Sequence, residues 1–381
     1  MRSLPIETTA MTPSPLLSAN SRRRGQCGVS LIELMVGMLV GLLATLVIAQ
    51  TLLFAEGYKR TTTGGADAQV NGALALYMVQ RDLQMSGYGL TASNPAIGCQ
   101  IRATRAGAAY VWTLAPVTIT DGASGLPDTI NIMGSDKAYS VPVRVTASHP
   151  SDGTRFDVHS LLGVSQGDLM VAVPPTIVPG TNWCSVFNVT GVGTLRVLHD
   201  TGVGGPWNPQ AADTIFPAAG YPENSYLVNV GRFLNRTYSI DNATWALQQS
   251  RFDSASGGVL PPVELFPQIV NLQAMYGKDT NADGIIDSYD NATPTTTAGW
   301  QQVLAVRIAV VARSATPERD DVTAAAPLWD VGDSPAVAGS ATCAASKCLT
   351  LRVDHVGANW QRYRYKVFDT VIPLRNVLWR S

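Results

Sequence analysis

Residues 34–55 form a run of 22 without a charged side chain, and Glu33 stands at its leading edge. About 20 apolar residues are what a helix needs to cross roughly 30 Å of hydrocarbon. Three consecutive arginines, Arg22, Arg23 and Arg24, precede the run. The positive-inside rule keeps that end cytoplasmic and exports the chain beyond the run. The run is too long for the apolar core of an ordinary secretory signal, and no convincing small-residue cut follows it. A plain signal anchor accounts for the run but not for the acid. A carboxylate in a membrane segment is costly and is usually there for a function.

The chain has 381 residues, so the exported part is long enough for one large or two small domains. With 46% hydrophobic and 14% charged residues it has a globular composition, and its Gly, Thr, Ala and Val content suits an extracellular β-rich body. The formal charge is −1; the segment up to Gly28 carries four Arg and one Glu, a net of +3, which leaves −4 for the rest. That balance gives no nucleic-acid footprint.

Cys27 lies in the leader, and Cys99, Cys184, Cys343 and Cys348 make an even set in the exported part. In an oxidising compartment disulfides are the default for such a set. Cys343 and Cys348 enclose four residues and are expected to pair, leaving Cys99 with Cys184. A four-cysteine zinc site is the rival reading, weakened because no C-x-x-C spacing is present.

Along the chain, residues 1–28 read as a leader, with Met11 an alternative start. Residues 29–55 read as the transmembrane half of a long helix and 56–88 as its amphipathic half. Tyr58 and Lys59 are candidate interface anchors. Residues 61–65, three threonines and two glycines, are poor helix formers and are expected to bend or fray it. Val70, Ala73, Leu76, Tyr77 and Leu83 then recur at helical spacing as the face for a globular domain, and Gly87 and Gly89 end the helix. Short β runs separated by Gly, Pro, Asn and Asp follow in residues 89–381. The expected strands are 109–114, 129–133, 141–147, 169–173, 194–198, 226–230, 232–240, 304–312, 348–353 and 363–374. Residues 314–347 read as a long surface loop closed by the Cys343–Cys348 pair. The fold class is therefore α+β, a long N-terminal helix packed on an antiparallel, sheet-rich body.

The hexapeptide Gly28-Val29-Ser30-Leu31-Ile32-Glu33, behind a basic leader and ahead of an apolar run, resembles the class III signal of type IV pilins and type II secretion pseudopilins. The resemblance implies that a prepilin peptidase cuts after Gly28 and N-methylates Val29, which makes Glu33 the fifth residue. Family members usually begin with Phe or Met, so Val29 is a mild departure. The chemistry suits such a role. Glu33 is poorly solvated at the membrane edge and needs a cation or strong donors. The free amine of Val29 on a neighbouring subunit supplies both if the helices stack with a stagger. Glu33 then sets register by penalising any packing that leaves it unpaired. Gly37, Gly41, Ala44 and Ala49 let helices approach closely, although such residues are also ordinary in membrane helices.

Residues 279–287, Asp-Thr-Asn-Ala-Asp-Gly-Ile-Ile-Asp, match the start of an EF-hand-type calcium loop. Asp279, Asn281 and Asp283 take positions 1, 3 and 5, Gly284 takes position 6, Ile285 offers a carbonyl at 7 and Asp287 sits at 9. Position 12 is Asp290 rather than the usual Glu. An Asp/Asn-rich hairpin turn draws on the same residues. Calcium is the candidate cation, in a structural role, and no organic cofactor is expected.

The surroundings carry a second resemblance. Residues 81–88 close the helix, residues 276–279 lead into the acidic loop, Trp300 and residues 306–311 follow, and residues 371–376 stand near the end of the chain. This series is similar to PilW-type minor pilins; residues 100–260 show no such match. The resemblance implies a subunit held in the inner membrane, its bulk in the periplasm, that later enters a pilus fibre at the tip. The implied partners are prepilin peptidase, other minor pilins, the major pilin and a pilus tip adhesin, with no nucleic acid. A minor pseudopilin of a type II secretion system and a membrane-anchored adhesive protein that never polymerises are the alternatives.

The histidines His149, His159, His199 and His355 are scattered, and no H-E-x-x-H, G-x-S-x-G or P-loop motif is present. His159 near Asp157 and Ser160 makes no triad by sequence adjacency alone. Trp183, Trp207 and Trp360 read as packing residues. No enzyme is expected.

Overall fold

The structure, a computed structural model, describes residues 28, 30–90, 96–138, 141–200, 205–210, 215–332 and 341–378. The leader with Met11, Arg22, Arg23, Arg24 and Cys27 lies outside the described residues, as do Val29 and the 333–340 part of the 314–347 segment. The chain divides into two units, Met1–Glu56 and Gly57–Ser381.

Helix α1 (Leu31–Gln84) begins in the first unit and ends in the second. Among the described residues it is the one helix long and apolar enough to cross a membrane. Its large apolar side chains from Leu31 to Phe54 are all at least 50% exposed. A continuous apolar surface of this extent is a site for lipid or another chain, which makes α1 a candidate membrane anchor. The expected bend at 61–65 does not occur. The helix runs on through Gly64, where a Cβ would come 3.2 Å from the Ser314 Cβ, so tertiary contact overrides weak local propensity.

The face that α1 turns to the body matches the expected one at Leu83, which is buried, and Leu76, which packs against the core, and differs at Val70, Ala73 and Tyr77. Ala68, Ala75, Val79 and Leu83 are buried, and Gly72 with them. Val70 and Tyr77 are 56% and 62% exposed, and Ala73 is exposed too. Around Gly72 the helix lies so close to the sheet that a Cβ there would meet Phe368 and Ala312, and Val70 and Tyr77 stand on the outer face. Gly87 and Gly89, at φ +71° and +76°, end the helix as expected.

The strands are β1 (Cys99–Arg105), β2 (Ala108–Leu114), β3 (Val117–Gly122), β4 (Leu126–Gly134), β5 (Val143–Arg144), β6 (Arg155–Asp157) and β7 (Leu169–Val173). They continue as β8 (Cys184–Asn188), β9 (Gly191–Gly193), β10 (Arg196–Leu198), β11 (Tyr226–Gly231), β12 (Leu234–Asp241), β13 (Ala246–Asp253) and β14 (Gly258–Pro267). The last are β15 (Ile269–Lys278), β16 (Ser288–Asp290), β17 (Val303–Arg313), β18 (Leu328–Gly332), β19 (Ala341–Cys343), β20 (Ser346–Thr350) and β21 (Tyr365–Pro373). Short helices α2 (Thr297–Gln301) and α3 (Arg375–Leu378) flank β17 and β21 in sequence.

These strands make five sheets. The second half of α1 packs into a core shared by the five-stranded sheet β14-β13-β12-β4-β3 and the four-stranded sheet β16-β15-β17-β21. The far face of the four-stranded sheet is covered in turn. Val270, Met275, Ala309 and Val311 meet Trp329, Val331, Leu351 and Val353, so nine of the ten residues of β15 are buried and the strand reads as an internal one. Trp329 and Val331 belong to β18, which pairs with β20 in the sheet β18-β20-β19. The segment 314–347 is therefore no plain surface loop. It holds the cover of that sheet, because Trp329 and Val331 alternate with the exposed Leu328 and Asp330 and turn inward.

In the six-stranded sheet β2-β1-β8-β7-β11-β5 the central strands β8, β7 and β11 are also buried on both faces. Leu169, Val171 and Val173 of β7 face one core, while Met170 and Ala172 face another. That alternation explains a strand with no polar residue. The sheets are antiparallel except where β1 runs parallel to β8. The expected strand at 141–147 contracts to β5 and an isolated bridge from Val145 to Val158.

Candidate functional site

The N-terminus of α1 is built by Ser30. Its hydroxyl accepts the Glu33 N–H at 3.2 Å, and its carbonyl accepts from Glu33 and Leu34. Ser30 and Glu33 thus stand at the spacing of a capping box, of which the Ser30 half is made. Glu33 falls in the first helical turn, where a negative charge suits the helix dipole. Gly28 is described and exposed. Gly37 and Gly41 have nothing within 4 Å of where a Cβ would stand, so the first half of α1 offers flat, open positions to whatever lies beside it.

The second half of α1 is fixed to the body by small residues and one buried acid. A Cβ on Gly72 would run into the Phe368 ring of β21 and stand 3.0 Å from Ala312 of β17. Lower down, Asp82 Oδ2 accepts the Tyr238 hydroxyl and Arg236 Nη1. Burial, and the Asp82 carboxylate that takes its proton in a hydrogen bond, hold the Tyr238 hydroxyl well above the usual phenol range. Gln249 Nε2 also donates to Tyr238 Oη at 2.6 Å. At the end of the helix, Asn376 donates to the Ser86 carbonyl at 2.9 Å and Gly87 N–H donates to the Met133 carbonyl at 2.8 Å. Sequence reading missed Gly72, Arg236 and Tyr238. An acid inside the helical pattern, Asp82, was the available signal.

The acidic loop between β15 and β16 folds on itself. Asp279 accepts the N–H groups of Ala282 and Gly284, Asn281 accepts Asp283 N–H, and Asp283 accepts Ile285 N–H. Asp287 accepts the Thr280 N–H and hydroxyl at 2.7 Å each, and these two bonds hold its carboxyl below the usual range. Asn281 Nδ2 lies 3.1 Å from Asp283 Oδ2 and 3.4 Å from Asp287 Oδ1, so three of the loop's side chains gather at one point. Gly284, at φ +84°, makes the turn that this requires. Asp290 stands apart, bonded to Lys278 Nζ at 2.6 Å. Among the described residues no three or more His, Cys, Asp or Glu side chains are grouped as metal ligands. Of the residues expected to ligate a cation, Asp290 thus stands apart from Asp279, Asn281, Asp283 and Asp287.

Asp290 instead lines a cavity of about 430 Å³ with Asp121, Asp128 and Gln273. Asp128 is buried and accepts Gly122 and Ala274 N–H at 2.8 Å each. Burial pushes its carboxyl up to about 7 even though both amides favour the charged form.

The cysteines pair as Cys99–Cys184 and Cys343–Cys348. The first joins β1 to β8 beside their parallel register, Ile101 opposite Cys184. Trp207 is buried with its Nε1 donating to the Ser254 carbonyl at 2.8 Å, and the Arg102 guanidinium lies 3.5 Å over the Trp183 ring. His159 bonds to the backbone of Arg144, while Asp157 pairs with Arg196. Two of the histidines that look scattered in sequence meet in the fold: His149 and His199 stand Nε2 to Nε2 at 2.9 Å.

Residues 237–376 match the family model described as Type IV Pilus-assembly protein W. The match starts within β12 and ends within α3, so it takes in β15, the acidic loop, β17 and β21. It confirms over those residues the PilW-type resemblance read from the sequence. None of the curated proteins compared matches the chain. Among solved structures, a type IV-like pilin from Thermus thermophilus aligns at 10% identity over 81% of this chain and 97% of that one, with a TM-score of 0.31.

Proposed function

We propose that this chain, whose residues 237–376 match the type IV pilus-assembly protein W family, is a minor pilin that acts in pilus assembly as part of a priming and tip complex. The observation that carries the reading is that match together with the helix it is joined to. The matched strands β15, β17 and β21 are among those that receive α1, and α1 begins as a bare apolar helix with an acid in its first turn. Prepilin peptidase cuts after Gly28 and methylates Val29 in this reading. The protein waits in the inner membrane with its bulk in the periplasm. It then leaves the bilayer for the fibre, with Glu33 setting register against a neighbouring subunit. Other minor pilins, the major pilin and a tip adhesin are its partners, and its role is structural rather than catalytic.

The acidic loop is proposed to take one calcium ion on Asp279, Asn281, Asp283, Asp287 and the Ile285 carbonyl. What supports it is that the Asp283 and Asp287 carboxylates both turn to the Asn281 amide nitrogen, a donor whose place a cation would take, and a hard cation needing about six or seven oxygens would complete its shell with water. The ion would fix the β15–β16 connection.

Deleting the gene and counting sheared surface pili tests the assembly role. Loss of pili restored by the intact gene supports it, whereas normal piliation with lost protein secretion would favour a type II secretion pseudopilin. Mass spectrometry of the membrane-extracted protein tests processing: an N-terminal peptide that begins at methylated Val29 is expected, and one that retains the leader contradicts it.

A further inference from the structure

His149 and His199 lie 50 residues apart in sequence, and both rings are buried, at 2% and 0% exposure. The backbone brings them together. His149 exchanges both its hydrogen bonds with Tyr221, at 2.8 Å each, and His199 N–H donates to the Thr154 carbonyl at 2.8 Å. Residues 149–154 are thereby clamped between the 199 and 221 segments. Around the rings stands an aromatic box. Phe156 stacks on His149 at 3.8 Å between centroids, and Phe187 and Phe216 approach His199 at 4.8 and 5.2 Å. Gly153 backs onto the pair so closely that a Cβ would come 2.7 Å from His149 Nε2.

The proton count in this box is restrictive. Two neutral imidazoles carry two N–H groups. One bridges the Nε2 atoms, so the accepting ring carries its own proton on Nδ1. Among the described residues neither Nδ1 makes a well-formed hydrogen bond, although the nearby backbone of His149, Gly153 and His199 favours the charged rings. One added proton keeps the bridge but makes both Nδ1 atoms buried donors with no well-formed acceptor, and sets a charge in a box of phenyl rings; the backbone offsets only part of this, since burial is the larger effect on both rings. A second added proton makes both Nε2 atoms donors that face each other at 2.9 Å, and the bridge is lost. Each step is penalised by desolvation.

The charged groups on the surrounding elements give little relief. Asp152, on the same turn, is exposed, and its field reaches His149. On β6, Arg155 is exposed and Asp157 pairs with Arg196 of β10 at 3.0 Å. Asp200 turns to the Thr190 hydroxyl at 3.1 Å. From β8 comes Ser185, which bonds to the Tyr221 hydroxyl at 2.8 Å, and burial holds that phenol neutral.

We propose that His149 and His199 form an acid-sensitive latch: neutral and mutually bonded they hold the 149–154 turn against the 199 and 221 segments, and protonation releases it. Burial lowers His149 to about 4 and His199, with His149 beside it, to about 3. Both histidines regain an ordinary value near 6.5 once the turn opens. The closed form is therefore favoured fully above pH ~6.5 and loses ground as pH falls towards 4. Two protons taken up on opening make the opening constant rise by about one and a half decades per pH unit between pH ~6.5 and ~5, on the order of 10²–10³-fold in all. The latch needs no pilus role. Its exposure to external acid rests on the export proposed above.

Hydrogen exchange by mass spectrometry on the full chain in detergent, with labelling times corrected for pH, tests the latch. Peptides within 143–160 and 184–221 are expected to lose protection by 10²–10³-fold from pH 7 to pH 5, while β15 and β17 keep theirs. The double variant His149→Gln, His199→Gln, whose amides bond without titrating, is expected to flatten that response. Retained acid opening in the double variant overturns the latch. Should the variant not fold, the wild type decides alone: a slope below one proton between pH 6.5 and 5, or opening that spreads equally to β15 and β17, overturns it as well.

Discussion

Asp82 on α1 accepts two hydrogen bonds through one oxygen, from Tyr238 and Arg236 of β12, each at 2.6 Å. A single carboxylate thereby sets the rotation and height of the helix on the five-stranded sheet. Replacing Asp82 by Ala leaves a buried phenol and a guanidinium without their acceptor. The expected loss is about 2–3 kcal/mol, less than for a fully buried ion pair because the Arg236 side chain is 36% exposed. Urea unfolding of the detergent-solubilised chain, with Tyr238→Phe as the milder companion at about 1 kcal/mol, measures it.

Gly72 and Gly65 sit two turns apart on the same helix and should respond with opposite signs. A side chain at Gly72 meets Phe368 and Ala312, whereas Gly65 has nothing within 4 Å. Gly72→Val is expected to destabilise by about 2–3 kcal/mol through overpacking. Gly65→Ala is expected to stabilise by up to about 1 kcal/mol through helix propensity. Thermal unfolding of the two variants side by side reads both.

The helix face shows where sequence patterning is blind. Val70 and Tyr77 are the bulkier apolar residues, and periodicity picks them out, but contact distance excludes them from the sheet and selects Ala68, Gly72 and Ala75. The strand β7 was legible to its ends because both its faces are buried and every residue is apolar. Its neighbour in kind, β15, was not. Asn271 and Gln273 interrupt its apolar run, and only the fold shows their amides bonded to Gly125, Leu126 and Arg352 carbonyls. β13 carries Gln248, Gln249, Ser250 and Arg251, and β14 carries three prolines at a sheet edge, which removed both from a pattern search. The hexapeptide 28–33 was the most readable feature because its signal is local. The His149–His199 contact was the least, since it depends on a bridge to Tyr221 that no local pattern encodes.

Asp128 should give stability a pH slope of its own. Its folded value lies near 7, above the ordinary 3.8. A raised value means that the folded state holds its proton longer, so this contribution is full below pH ~4 and is lost as pH rises through 7. The full difference corresponds to roughly 4 kcal/mol. The histidine pair slopes the other way below pH 6.5, so the two are separated by comparing wild type with Asp128→Asn. The stability gap is expected to move in favour of the variant as pH rises from 4 to 7, in urea melts at half-unit steps; a constant gap contradicts it.

Reduction should act unequally on the two disulfides. Cys99–Cys184 closes 85 residues between buried strands, and Cys343–Cys348 closes five. Cys99→Ser with Cys184→Ser is expected to lower stability by about 3–4 kcal/mol, and the smaller ring's loss to matter less. Unfolding of the two double variants at equal pH gives the comparison.

The account's central claim is that α1 is an assembly helix and Glu33 its register key. Glu33→Ala is expected to leave the protein in the inner membrane at normal abundance, because the apolar run is untouched, and to abolish its share in pilus formation. The direct measurement is the quantity of sheared surface pili from a gene-deletion strain complemented with the Glu33→Ala chain, set beside the same strain carrying the intact chain. Pili at the level of the uncomplemented deletion are the predicted result. Full piliation with the variant would contradict the account and leave α1 a simple anchor.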